Sequence, residues 1–337
     1  MTTLKALLVG AGGMGKNWGR TLQENTEVEI VGWVDTRPDA AAVAAEELKL
    51  AIFSDTDLGK ALAETRPDFV VDVTIPEAHY GVTLQALAAG VPVLGEKPMA
   101  DSMARAREMV SASEKSGKLY MVSQSRRYDA KLTAYRQLIT EQVGQLGILN
   151  SDFYLGAHFG GFRDEMASVL LLDMAIHTFD QARYLSGTDP VSVYCEEFNP
   201  AWSWYQGDAC ATALFEMTEG LRYTYRGAWC SEGKNTSWEC DWRAVGPQGS
   251  ALWNGTDAAE AEVVVQTGEF ISKLEPRVAD VLEESHSSIA GSLRDFINAL
   301  KTGATPMGEC HDNIQSLAMV FAAIESSSTG QRVPVVV

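Results

Sequence analysis

Residues 4–22 of the chain read LKALLVGAGGMGKNWGRTL, and this stretch decides the expected fold. Its apolar start has the length and composition of a buried strand, and its second half is typical of a helix. The turn between them matches the pattern G-x-G-x-x-G, in which glycines let a pyrophosphate approach the backbone amides at a helix N-terminus. The stretch therefore predicts a strand–turn–helix that binds a dinucleotide. Five turn residues are expected to contact the cofactor: Gly10, Gly12, Gly13, Met14 and Gly15.

A second apolar segment, VEIVGWVD, ends in Asp35, which follows Gly15 by 20 residues. An acid at this distance accepts hydrogen bonds from ribose hydroxyls and repels a 2′-phosphate, so we expect NAD to be preferred over NADP. A helix-capping role is the alternative for this acid. The next two residues, Thr36 and Arg37, are also expected at the cofactor, where Arg37 either stacks on adenine or binds a 2′-phosphate.

Three further buried strands are predicted in DFVVDVTIP, VPVLGEKP and KLYMVSQSRRY, and helical stretches separate them. Alternating strands and helices predict a parallel, doubly wound sheet, whose ligands bind beyond the carboxyl ends of its strands. Residues at or near these ends are expected to contact the cofactor, and the set is Thr74, Pro76, His79, Glu96, Lys97 and Arg127.

The chain changes character near residue 124, so we predict a Rossmann domain over 1–122 and an α+β domain over 123–337. The second domain contains the alternating segments VSVYCEEF, ACATALFEM, LRYTYRGAW, SWECDWRAVG and EVVVQTG. These predict an open, mostly antiparallel sheet, followed by two helices and a terminal strand. His286 and His311 lie near helix starts and are expected to cap helices or to be exposed.

The segment DMAIHTFD, residues 173–180, places three polar residues in an apolar surrounding. On a helix, the spacings of four and three residues put Asp173, His177 and Asp180 on one face. A polar stripe on a buried helix must face a partner, a metal, a cleft or water. A metal site and a structural ion pair are alternatives to a catalytic role, and no further ligand cluster favours the metal, so none is predicted.

The sequence resembles the Gfo/Idh/MocA family of nicotinamide-dependent sugar and cyclitol oxidoreductases. Four ordered motifs carry this resemblance over nearly the whole chain: GAGGMG, IPEAHYGVTLQALAAG, GEKP and DMAIHTFD. It implies that Lys97 is the family's active-site EKP lysine and that the helix stripe faces a cleft opposite the nicotinamide. Ala175 replaces the glycine that is usual in the helix motif.

The implied activity is an NAD-dependent dehydrogenase or reductase that acts on a sugar, a sugar derivative or an inositol. Histidine titrates near working pH, so His177 is expected to accept the hydroxyl proton and Asp173 to orient its imidazole. Lys97 is expected to stabilise alkoxide charge or to share the proton, and the sequence does not rank it against His177. Asp180 is expected to bind a neighbouring hydroxyl or to support the helix. Substrate contacts are expected from Lys97, Arg127, His158, Arg163, Asp173 and His177.

Two other functions stay open at this point. One is a hydride-recycling lyase or epimerase that holds NAD tightly, and the other is a nicotinamide-binding regulator without turnover. The joint presence of Lys97, Asp173 and His177 argues against the regulator.

Composition limits the partners and the compartment. A formal charge of −18 disfavours nucleic acid and anionic membranes as partners. No apolar run is long enough to span a bilayer, and the N-terminus lacks the features of a signal peptide. The five cysteines include no CxxC motif, which favours reduced thiols in a cytoplasmic protein. An open, aromatic-rich sheet favours a homodimer or homotetramer.

Overall fold

The fold is described from a computed structural model, which covers residues 3–282 and 287–337. His286 lies outside the described residues, so the expectation for it is not addressed. The chain divides into two compact units. The first comprises Met1–Ser125 and Ser288–Ile314, and the second comprises Arg126–Ser287 and Gln315–Val337.

The strands and helices alternate through the first unit, and strands dominate the second. The strands are β1 Leu4–Val9, β2 Val28–Val34, β3 Phe53–Asp55, β4 Phe69–Asp72, β5 Val93–Gly95, β6 Tyr120–Val122, β7 Ile148–Tyr154, β8 Pro190–Phe198, β9 Cys210–Met217, β10 Arg222–Ala228, β11 Asp241–Gly246, β12 Gly249–Trp253, β13 Glu260–Gln266, β14 Lys273–Val278 and β15 Val333–Pro334. The α-helices are α1 Gly13–Glu24, α2 Ala40–Glu47, α3 Leu58–Thr65, α4 Pro76–Ala88, α5 Met103–Ser116, α6 Ala130–Leu138, α7 Ile176–Ser186, α8 Ser288–Thr302 and α9 Cys310–Thr329. Two π-helical segments precede β7 and α7, at Ile139–Val143 and Leu170–Ala175.

The first unit is built on a six-stranded parallel sheet in the order β3-β2-β1-β4-β5-β6. The order reverses between β1 and β4, which is the switch point where doubly wound sheets bind ligands. Strands β1 and β4 are apolar nearly throughout because helices cover both faces of such a sheet. The predicted parallel sheet is confirmed. The short strand β3 was not predicted.

The first unit also includes α8 and the first residues of α9, which the sequence-based boundary at residue 122 assigns to the second domain. Phe296 of α8 packs on Phe69 of β4, with ring centroids 5.4 Å apart. The carbonyl of Gly308 accepts a hydrogen bond from the Val122 amide at 2.8 Å. This late segment therefore completes the core and the β6 edge of the Rossmann sheet.

The second unit contains a nine-stranded sheet in the order β14-β13-β12-β11-β7-β10-β9-β8-β15. Its strand pairs are antiparallel except for β7 with β10, which confirms the predicted mostly antiparallel sheet. Phe179 of α7 packs edge-on against Phe215 and Tyr225, at centroid distances of 4.9 and 5.3 Å. These contacts fix α7 on one face of the sheet.

The helix predicted for DMAIHTFD is α-helical only in its later part. Residues Leu170–Ala175 form a π-helix, and α-helical geometry begins only at Ile176. In a π-helix the hydrogen bonds run from i to i+5, so Asp173 is not in α-helical register with His177. The predicted burial of α7 is confirmed, since its residues from Thr178 to Leu185 are all buried.

No described helix combines the length and the apolar character that a membrane span requires.

Candidate active site

The glycine turn of the first unit has the close approaches that its sequence predicts. Gly10 adopts a φ of +101°, and a Cβ there would lie 2.5 Å from the carbonyl oxygen of Val73. A Cβ on Gly15 would lie 2.1 Å from the carbonyl oxygen of Gly10. A Cβ on Gly12 would contact nothing within 4 Å, so this position faces open space at the start of α1. The turn thus leaves backbone amides accessible at a helix N-terminus, as a pyrophosphate requires.

Asp35 lies just beyond β2, and its carboxylate accepts hydrogen bonds from two residues, Ala11 and Arg37. The Ala11 amide donates to Oδ2 at 2.7 Å. The Arg37 guanidinium donates from Nε to Oδ1 at 2.9 Å and from NH2 to Oδ2 at 2.8 Å. The hydrogen bond from the Arg37 side chain is the main reason that the pKa of Asp35 falls to about 2. Asp35 is therefore a fixed anion at neutral pH, joined to the glycine turn through Ala11.

A cavity of about 980 Å³ opens beside this carboxylate. It is large enough to hold a substantial part of a dinucleotide. Six of the expected cofactor contacts line it: Gly10, Gly12, Asp35, Thr36, Arg37 and Thr74. The described lining does not include the eight others, which are Gly13, Met14, Gly15, Pro76, His79, Glu96, Lys97 and Arg127.

His79 is buried in an ion pair, which explains why it does not line the cavity. Its Nδ1 lies 3.0 Å from Oδ2 of Asp72, the last residue of β4. The other oxygen of Asp72 accepts hydrogen bonds from the amide and hydroxyl of Thr74, at 3.1 and 2.6 Å. Burial opposes the charged imidazolium, but the Asp72 carboxylate outweighs it and raises the pKa of His79. The pair braces the turn that carries Thr74 to the cavity.

Glu96 and Lys97 follow β5 at the carboxyl edge of the same sheet. The indole of Trp18 donates to Glu96 Oε1 at 2.7 Å, and the Lys97 amide donates to Oε2 at 3.1 Å. Burial raises the pKa of Glu96. The peptide bond between Lys97 and Pro98 is cis. Both oxygens of Glu96 thus have partners, and they fix the backbone that presents Lys97.

In the second unit, Asp180 and Arg127 form a buried ion pair. Arg127 donates from Nε to Oδ2 at 2.7 Å and from NH2 to Oδ1 at 2.6 Å. The hydroxyl of Ser316 also donates to Oδ1, at 2.7 Å. Of the two roles expected for Asp180, this geometry fits support of the helix. Arg127 is buried, and its Nε and NH2 groups donate to Asp180; its expected cofactor and substrate contacts stay predictions.

Asp173 bonds to a different arginine. Nε of Arg163 donates to its Oδ2 at 2.5 Å, and both side chains are partly exposed. The ring of His158, five residues before Arg163, stacks on Trp204 at a centroid distance of 3.7 Å. Nε2 of His158 lies 2.8 Å from Glu232. His177 is the least buried residue in the first two turns of α7. In the sequence it lies between Asp173 and Asp180, the acids of the two arginine pairs.

The sequence prediction missed several residues of these sites. Asp72 is an acid inside an apolar strand, and that irregularity is a signal that could have identified it. Trp18 lies on the helix that follows the glycine turn, and nothing in the sequence indicated its bond to Glu96. The remaining missed residues line the cavity from β3, α3 and α4, and they include Thr56, Asp57, Leu58, Ile75 and Gln85.

A doubly wound sheet with a glycine turn, an acid after β2 and a cavity beside both defines a dinucleotide-binding protein. Comparison with known proteins gives the family. Residues 4–124 match the oxidoreductase family with an NAD-binding Rossmann fold, and residues 103–252 match the Gfo/Idh/MocA C-terminal domain. The chain belongs to the Gfo/Idh/MocA family of oxidoreductases, which confirms the resemblance seen in its motifs.

Individual relatives agree with this assignment. An uncharacterized protein of Sinorhizobium fredii, y4oX, is 30% identical over 99% of this chain and 96% of its own length. A 1,5-anhydro-D-fructose reductase of Ensifer adhaerens is 25% identical over 96% of each chain. A crystal structure of an oxidoreductase from Agrobacterium radiobacter, in complex with NAD⁺, L-tartaric acid and magnesium, covers 99% of both chains with a TM-score of 0.89. Its identity is 21%, so this likeness concerns the fold.

Proposed function

We propose that the protein is an NAD-dependent dehydrogenase that oxidises a CH–OH group of a polyhydroxylated substrate. The observation that carries the proposal is the cavity at the carboxyl ends of β1, β2 and β4, lined by the glycine turn and by Asp35. The backbone amides of the glycine turn suit a pyrophosphate, and the fixed carboxylate of Asp35 suits a ribose diol. The relative from Ensifer, a reductase of a sugar derivative, supports the same substrate class.

The preference for NAD over NADP rests on the bonds of Asp35. The carboxylate stays ionised at working pH and repels a 2′-phosphate. Arg37 is the neighbouring cation that could bind such a phosphate, but its Nε and NH2 already donate to Asp35. Binding NADP would require that bidentate pair to break. We therefore propose that Arg37 holds Asp35 in place and contacts the adenine of NAD.

The acid–base chemistry is assigned to Lys97, His177 and Asp173. NAD held by the cavity of the first unit would supply the hydride acceptor for this oxidation. His177 accepts the hydroxyl proton, the general-base role that histidine most often fills in enzymes. Lys97 donates a hydrogen bond to the same oxygen and stabilises its developing negative charge. Asp173, fixed by Arg163, supports the protonated imidazole.

The test is production of NADH, followed by absorbance, with a panel of aldoses, glycosides and inositols. Lys97→Ala and His177→Ala should each lower kcat by at least about 100-fold, as is usual for acid–base groups, with little change in NAD affinity. Lys115→Ala and His311→Ala are matched controls, since both side chains are exposed on the first unit. A His177→Ala variant with near-normal kcat would assign the proton to Lys97 alone. Turnover without net NADH, with NAD released on denaturation, would overturn the dehydrogenase in favour of hydride recycling.

A further inference from the structure

The loop before the π-helix of the second unit carries an arginine between two exposed aromatic rings. The guanidinium carbon of Arg163 lies 5.1 Å from the ring centroid of Phe159 and 4.7 Å from that of Phe162. Both rings are more than half exposed, which is unusual for phenylalanine. Stacking on aromatic rings occupies the faces of a guanidinium and leaves its edges for hydrogen bonds.

One edge of this guanidinium is in use and the other is open. Nε donates to Asp173 at 2.5 Å. Within residues 3–282 and 287–337, neither terminal nitrogen of Arg163 has a hydrogen-bond partner. The open edge is the one formed by these two nitrogens. Two parallel N–H donors on such an edge match the two oxygens of a carboxylate.

The aromatic cluster around the loop contributes a second unused donor. Phe159 contacts Trp229 edge-on, with ring centroids 5.8 Å apart. Trp229 is only 2% exposed, and its indole nitrogen has no hydrogen-bond partner among the described residues. A buried donor without a partner is costly, so such a group indicates a ligand or a water molecule. A neutral hydroxyl both donates and accepts, whereas a carboxylate only accepts. A carboxylate can therefore satisfy donors on the protein side with both of its oxygens.

The net charge of −18 does not exclude an anion at this position. Screening limits the field of distant exposed charges to about 8 Å at physiological salt. At contact, a charge-assisted bidentate hydrogen bond is among the stronger polar interactions in proteins. Asp173 bonds at Nε, and a ligand carboxylate at the opposite edge would share the same cation.

We propose that Arg163 is a specificity-determining residue that binds a carboxylate of the substrate, so that the substrates are sugar acids, such as uronates or aldonates. This inference rests on the proposed dehydrogenase and narrows its substrate class. It also refines the expectation that Arg163 reaches a substrate hydroxyl.

The experiment compares acids with their neutral counterparts in binding and in turnover. The pairs are D-glucuronate with D-glucose, D-galacturonate with D-galactose, and D-gluconate with D-glucitol. Binding to the NAD-loaded protein is measured by calorimetry, which requires no turnover, and kcat and KM are measured by NADH absorbance. The variants are Arg163→Met and Arg163→Lys. Arg226→Met is the matched control, because Arg226 makes a bidentate pair with Asp152 on an exposed part of the sheet.

At least one acid should bind roughly 10- to 100-fold more tightly than its neutral partner, the range for a hydrogen bond to a charged group. Arg163→Met should remove this preference by raising KM for the acid. Arg163→Lys should keep part of the preference, and Arg226→Met should leave it unchanged. Equal binding of acid and neutral sugar in all three pairs would overturn the proposal. So would an Arg163→Met variant that loses activity equally on both members, since that pattern means Arg163 only positions Asp173. Arg163-dependent binding without NADH from any substrate would support the subsite and contradict the proposed dehydrogenase.

Discussion

Two arginine–aspartate pairs in the second unit have the same bond distances and different burial. Breaking them should therefore lower the stability of the unit by very different amounts. Arg127 binds Asp180 through Nε at 2.7 Å and NH2 at 2.6 Å, and Arg226 binds Asp152 at the same two distances. The first pair is 7% and 2% exposed, and the second is 57% and 27% exposed. Comparison of Asp180→Asn with Asp152→Asn therefore sets a buried pair, with one further hydrogen bond from Ser316, against an exposed pair.

Asp180→Asn should destabilise the second unit by about 3–5 kcal/mol, because it removes the carboxylate charge from the bidentate pair with the buried Arg127. Asp152→Asn should cost at most about 1 kcal/mol, since water solvates the released arginine. For a domain of 150–250 residues, these values correspond to losses of roughly 6–20 °C and less than about 4 °C in Tm. The assay is urea and thermal unfolding followed by tryptophan fluorescence, which reports mainly on the second unit because six of the eight tryptophans lie there. Equal losses for the two variants would refute the assignment of Asp180 to helix support.

Three further outcomes are expected. Asp35→Ser should shift the ratio of kcat/KM toward NADP, because it removes the anion and frees Arg37 for a 2′-phosphate; an unchanged ratio in cofactor kinetics would contradict the NAD assignment. Asp72 raises the pKa of His79, so the stabilisation from their pair is complete below pH 6.5 and declines as pH rises through the raised value. The Tm gap between the wild type and His79→Gln should therefore narrow above pH 6.5, and a constant gap would argue against the charged pair. We expect a homodimer or homotetramer, and light scattering that shows a monomer at micromolar concentration would rule this out.

The Rossmann unit was predictable because its signals are local. A buried strand, a glycine turn and an acid at a fixed distance all lie within residues 4–35. Each of them follows from short-range chemistry, and the structure places Gly10, Gly12 and Asp35 at one cavity. Strand β3 escaped prediction since it has three residues and none is fully buried, so it lacks a hydrophobic pattern.

Features that depend on distant partners were not predictable in the same way. The boundary at residue 122 missed the return of α8 to the first sheet, because the contact between Phe296 and Phe69 links distant positions of the chain. The π-helical segment at Leu170–Ala175 escaped for a related reason. Its apolar residues fit a buried α-helix equally well, and hydrophobic periodicity does not distinguish the two over so short a segment.

The two acids of the DMAIHTFD motif show how tertiary partners separate roles that the sequence leaves equal. Asp180 lies inside the unit, where Arg127 and Ser316 satisfy its oxygens. Asp173 is bound instead by the partly exposed Arg163, whose terminal nitrogens have no hydrogen-bond partner in the part of the chain that the structure describes. A buried acid whose oxygens are already bonded has little capacity to bind a ligand. An acid paired with an arginine that has unused donors lies next to a position where a ligand can bind. Burial and the identity of the arginine therefore distinguish the two acids, which the spacing in the motif does not. They support our proposals that Asp180 stabilises the helix and that Asp173 acts at the substrate.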